Sequence, residues 1–138
     1  MYHVLVPVDT NEERARAQAS YVSGLPGADE AVHAIVLYVF TGDEKGLVDA
    51  DTRSPRRIRG VREAIKQLES EGVELTIIAG SGDVTDEIFA AANEHDVDQI
   101  VMGGRERSPA GTVLFGSISQ AVIRGTDRPV VVTGAGSS

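Results

Sequence analysis

Five short, nearly unbroken apolar runs, separated by segments with helical spacing, constrain this chain more than any other feature. They lie at residues 3–8, 32–40, 74–79, 99–103 and 129–133. A strand with one face in water alternates apolar with polar residues. Continuous Val, Ile and Leu instead imply strands covered on both faces. Between the runs lie four stretches with helix start signals. Thr10-x-x-Glu13 and Ser117-x-x-Gln120 read as capping boxes, and Ser54-Pro55 reads as an N-cap followed by proline at the first helical position. The third helix is expected to start after Gly82-Asp83, with Val84, Ile88, Ala91 and Ala92 inward. The second carries Ile58, Val61, Ile65 and Leu68 on one face and is closed by Gly72; the fourth carries Ile118, Ala121 and Val122 inward and stops near Gly125. The resulting β-α-β-α-β-α-β-α-β alternation predicts an α/β, doubly wound, open parallel five-stranded sheet with helices on both faces, a Rossmann-like architecture.

The 138 residues suit one domain with its own core, residues 1–138, its tail 134–138 frayed. The longest polar connection, 41–53, is the expected mobile loop. A net charge of −8 argues against nucleic acid as a partner, because neutralising phosphates requires a basic face. Lysines number two (Lys45 and Lys66) against eleven arginines, a bias that either salt adaptation or a GC-rich genome would produce. No apolar run reaches the ~20 residues of a membrane span, so no membrane role is expected. The opening residues lack the basic stretch and cleavage site of a secretory leader, which makes a cytoplasmic location the expectation. Cysteine is absent, so disulfides, thiolate nucleophiles and cysteine metal sites are excluded.

In an open parallel sheet, ligands collect beyond the carboxyl ends of the strands, where strand order reverses. The informative residues are therefore Pro7-Val8-Asp9 after the first strand, Val39-Phe40-Thr41 after the second and Gly103-Gly104-Arg105-Glu106-Arg107 after the fourth. That last loop runs on to Phe115-Gly116-Ser117 at a helix start. Glycines that let backbone amides approach, placed before a helix N-terminus, suit phosphate oxygens, although many such loops only turn the chain. Arg105 and Arg107 would add charge.

These segments carry a resemblance. His3-Val4-Leu5-Val6-Pro7-Val8-Asp9, the stretch from Met102-Gly103 to Gly116-Ser117-Ile118, and Arg128-Pro129-Val130-Val131-Val132 resemble the universal stress protein family, in order and over most of the chain. The resemblance implies strand order 3-2-1-4-5. It also implies a homodimer through the last strand, Pro129 to Thr133, and in many members an adenine nucleotide, ATP or AMP, with Mg2+ accompanying ATP. By the same resemblance Val8 and Asp9 contact the adenosine part, and Val39 lines the adenine pocket. Gly103, Gly104, Gly116 and Ser117 hold phosphates, and Pro7, Met102 and Ile118 belong to the same motifs. The nucleotide-binding members carry Gly-x2-Gly-x9-Gly-[Ser/Thr]. Here Gly103 and Gly116-Ser117 match, while Glu106 takes the middle glycine's place. A side chain and a negative charge there oppose a polyanion, with Arg105 and Arg107 beside it to offset the charge.

Plainer readings stand beside these. Asp9 can cap the first helix alongside Thr10, Val8 and Val39 can be core, and Ser117 is expected to be an N-cap in any case. The basic run Arg53, Arg56, Arg57, Arg59 and Arg62 falls off the buried stripe and reads as a solvated face. His3, His33 and His95 lack ligand spacing. Without a P-loop lysine or a nucleophile elbow, no catalytic residue is assigned and no enzyme is expected. The leading expectation is a nucleotide-binding stress-response sensor or regulator with a protein partner of unknown kind. The alternatives are a family member that acts through protein contacts alone, or a slow ATPase.

Overall fold

The computed structural model describes residues 1–41, 54–104 and 116–134. Strands β1 (Tyr2–Pro7), β2 (Val32–Phe40), β3 (Glu74–Ser81), β4 (Gln99–Met102) and β5 (Val130–Val132) form one sheet in the order β3-β2-β1-β4-β5. Every pairing is parallel. Around it lie helices α1 (Glu12–Ser23), α2 (Ala28–Ala31), α3 (Arg59–Ser70), α4 (Val84–Glu94) and α5 (Ser117–Gly125). The doubly wound sheet and its order are those anticipated.

The unbroken apolar strands have a direct cause. Val4 and Val6 of β1, with Val36 of β2, pack on one face against Ala15 and Ala19 of α1 and Val61 and Leu68 of α3. Leu5 of β1, with Ile35 and Leu37 of β2, turns to the other face against Ile88 of α4 and Val122 of α5. Successive side chains of a strand point to opposite faces, and both faces here are dry. Each fully buried aliphatic side chain contributes about 1.5–3 kcal/mol relative to exposure. Arg56 and Arg57 of the 3-10 turn before α3, and Arg59 and Arg62 of α3, are exposed while Gly60, Val61, Ala64 and Leu68 are buried, so these arginines do form an outward face. Arg53 lies outside the described residues, as do nearly all of the long 41–53 connection and the tail beyond residue 134.

Several helix starts differ from expectation. The N-cap of α1 is Asn11 rather than Thr10. Asp9 Oδ1 accepts the Asn11 N–H at 2.9 Å, which carries the chain through an exposed Thr10, and Asn11 Oδ1 then accepts the Arg14 N–H at 2.8 Å. Ser54 caps only a single 3-10 turn (Pro55–Arg57), and α3 itself starts at Arg59. The N-cap of α5 is Gly116, whose carbonyl takes the Gln120 N–H at 3.1 Å, so Ser117 is the first helical residue and caps nothing. With that register Ala121 is exposed, and the inward face of α5 is Ile118, Ser119 and Val122. The short α2 was not anticipated; its four residues are too few to show a period, and it enters through Gly27 at φ 69°.

One glycine fixes how the first turn of α3 meets the end of β1. A Cβ on Gly60 would lie 1.8 Å from the Asp9 carbonyl oxygen, so the two backbones are in direct contact. Gly60→Ala must therefore displace main chain rather than a pliable side chain. The expected loss is about 1–3 kcal/mol of stability, read from the denaturant midpoint at unchanged m-value.

Candidate functional site

The sheet order places β1 at the centre, with β2 on one side and β4 on the other. Chains leaving β1 and β4 diverge to opposite faces, and a cleft opens between them, as the switch-point rule requires. The cleft holds a cavity of about 270 Å³. Pro7, Val8 and Asp9 from the exit of β1, Met102 and Gly103 from the exit of β4, and Gly116 and Ile118 from the start of α5 all line it. A second cavity of about 230 Å³ adjoins it, sharing Pro7, Val8, Asp9 and Val84, with Val39 and Thr41 on its far wall. Joined, the two reach the size of small-molecule sites, and their walls are mainly apolar with a few polar groups.

Seven of the sequence-derived site residues are thus brought into one cavity, and Val39 into its neighbour. Gly104 and Ser117 do not line either one. Gly104 is buried with its carbonyl turned to Arg14, and Ser117 is exposed on the outer side of α5. Arg105, Glu106 and Arg107 lie outside the described residues.

Arg14, Gln18, Ser119 and Val84 are among the lining residues that the sequence reading did not assign to a site. Arg14 and Gln18 rise from α1 beneath the cavity, one helical turn apart. Gln18 is 1% exposed, and its Nε2 donates to the carbonyls of Pro7 at 2.6 Å and Val101 at 3.0 Å, tying the exits of β1 and β4 to each other. Arg14 donates from Nε to the Gly104 carbonyl at 3.0 Å and from Nη1 to Asp9 Oδ2 at 2.5 Å. Ser119 on α5 is 4% exposed, and its hydroxyl has no hydrogen-bond partner among the described residues. Val84 at the start of α4 walls both cavities. A signal for Ser119 was present, since it stands three residues before the inward Val122. Arg14 and Gln18 gave none, because polar residues in a helix ordinarily face water.

His3 and His33 neighbour each other in the β1–β2 register, their rings 5.3 Å apart, well before the cleft end of the strands. Among the described residues no group of three or more His, Cys, Asp or Glu is placed to hold a metal ion. No helix there is long and apolar enough to cross a membrane.

The chain is thus a doubly wound α/β domain with a cleft at the β1–β4 switch point, bounded by Gly103 and the start of α5. Residues 1–134 match the universal stress protein family, and the chain belongs to it. It is 25% identical over 125 residues to a universal stress protein of Methanocaldococcus jannaschii, a match spanning 91% of this chain and 71% of that protein. A solved universal stress protein of Archaeoglobus fulgidus superposes with a TM-score of 0.72 at 25% identity, covering 96% of this chain and 98% of that one. Another structure from the same organism, in complex with dAMP, gives 0.66 at 21% identity over 96% of this chain and 98% of that one. The latter likeness is one of fold.

Gln18→Leu tests how the cleft floor is held. Leucine keeps the volume but strands two strand-end carbonyls, so a loss of about 1–3 kcal/mol is expected in equilibrium unfolding, with a looser amide-exchange pattern at residues 101–104.

Proposed function

We propose that this protein binds an adenine nucleotide in the joined cavities and acts as a stress-response sensor or regulator without turning the ligand over. One observation carries the proposal: an apolar compartment and a glycine- and helix-bounded compartment meet at Pro7, Val8 and Asp9. A nucleotide has the same two-part chemistry, a flat apolar base and an anionic end. Val8 and Val39 offer the base a dry wall, and Asp9 stands between the compartments where a sugar hydroxyl needs an acceptor. The first-turn amides of α5 have no acceptor within the helix, and the helix dipole favours an anion there. The hydroxyl of Ser119, without a hydrogen-bond partner among the described residues, supplies a further donor on the same side. Gly103 lines the cavity with the Arg14 stem packed directly against its Cα. The dAMP-bound relative of the same fold supports the choice of ligand class.

AMP and ATP remain distinct cases. With ATP, Mg2+ would screen the outer phosphates, and the one described carboxylate on the cavity wall, Asp9, is already paired with Arg14. No described group is set as a general base beside a nucleophile, which favours binding over hydrolysis. The unit proposed is a cytoplasmic dimer of a single domain. β5 is an edge strand whose Val130, Val131 and Val132 are only half-buried, and pairing with a second copy along Pro129 to Thr133 would cover it.

Calorimetric titration with adenosine, AMP and ATP, the last with and without magnesium, is expected to give saturable binding that Gly116→Arg abolishes with the fold intact. No heat at millimolar AMP or ATP would end the nucleotide reading and leave a protein-contact role with Glu106 as its cause. Light scattering is expected to give twice the 14.6 kDa chain mass; a monomer at working concentration would remove the last-strand interface.

A further inference from the structure

We infer that Arg14 is the phosphate-contacting cation of this cleft and the residue that makes it prefer a phosphorylated ligand over the bare nucleoside. The inference rests on the nucleotide reading above and assigns it a residue that the sequence motifs do not contain. Arg14 is the one cation lining either cavity among the described residues. Its side chain is only 16% exposed and lies along the cavity floor. A Cβ on Gly103 would come within 2.4 Å of Arg14 Cγ and 2.6 Å of Cδ, so the glycine at the exit of β4 leaves room for the arginine stem.

The guanidinium is held at two points, Nε on the Gly104 carbonyl and Nη1 on Asp9. Of the five N–H donors a guanidinium carries, the Nη2 pair and the second Nη1 hydrogen have no acceptor among the described residues. A planar, permanently charged fork with free donors, already fixed in orientation, is suited to phosphate oxygens and loses little freedom on contact. The electrostatics require such a group. Without Arg14 the described lining would present the Asp9 carboxylate to an incoming phosphate with no opposing charge, and like charges at short range repel. Gly116 and Ser119 line the same cavity, so the amide end of α5 and the arginine flank one space.

The test compares adenosine with AMP by calorimetry on wild type, Arg14→Gln, Arg14→Lys and Asp9→Asn, each checked for an unchanged unfolding midpoint. The pair Asp9→Asn/Arg14→Gln completes a double-mutant cycle. Loss of a charge-assisted contact should weaken AMP about ten- to hundredfold in Arg14→Gln, leave adenosine within about twofold, and be partly restored by lysine. If Arg14 contacts the phosphate itself, AMP stays weak in the double variant relative to Asp9→Asn. Recovery of AMP affinity in the double variant would show that Arg14 merely neutralises Asp9, and the inference falls. An equal loss for both ligands would also overturn it, since Arg14 would then only shape the cleft. Wild type binding AMP with Arg14→Gln equal to it removes this inference alone, whereas wild type binding neither ligand removes the nucleotide reading as well.

Discussion

Burial of β1 on both faces is the constraint on which the other features rest. A strand with Val4, Leu5 and Val6 all fully buried cannot lie at an edge or under a single layer. It must be central, with helices above and below, and its parallel neighbours must arrive by crossovers. Once β1 is central, the chain has to leave it and β4 toward opposite layers. The cleft between them is a by-product of that divergence. Binding chemistry is then a matter of which side chains happen to line the gap.

Much of this was legible in the sequence because burial leaves a strong trace. The strands, their number, their parallel alternation with helices and the start of α4 followed from unbroken apolar runs and helical spacing, whereas the strand order came from the family resemblance. The helix starts were less legible. Thr10, Asn11, Ser117 and Gly116 all lie where a cap is plausible, and choosing between adjacent residues depends on backbone angles that a pattern does not carry. Asn11 caps α1 because Asp9 takes the Asn11 amide and holds that residue at the cap position; Gly116 caps α5 because its carbonyl closes the first helical bond. A one-residue change in phase moved Ala121 outward and Ser119 inward, and so altered the inventory of the cleft.

The site was visible where it is built from strand ends and glycines, and hidden where it is built from polar residues of α1. Arg14 and Gln18 look like the solvated face of an amphipathic helix. They are instead drawn under the sheet's carboxyl edge, where carbonyls of Pro7, Val101 and Gly104 need donors that a parallel sheet no longer supplies. The demand for satisfied backbone groups therefore outweighs the ordinary preference of such side chains for water. The result is a cleft whose floor is hydrogen-bonded and partly charged beneath apolar walls.

The contact of Gly60 with the Asp9 carbonyl bears on how this surface can change. Where helix meets strand end through main chain alone, no cushion of side-chain atoms can absorb a new shape. The spacing of α3 from the cleft is set like a hard stop. The arginines on the far side of the same helix stand clear of that stop, leaving the outer surface open to drift in charge and partner while the cleft keeps its width.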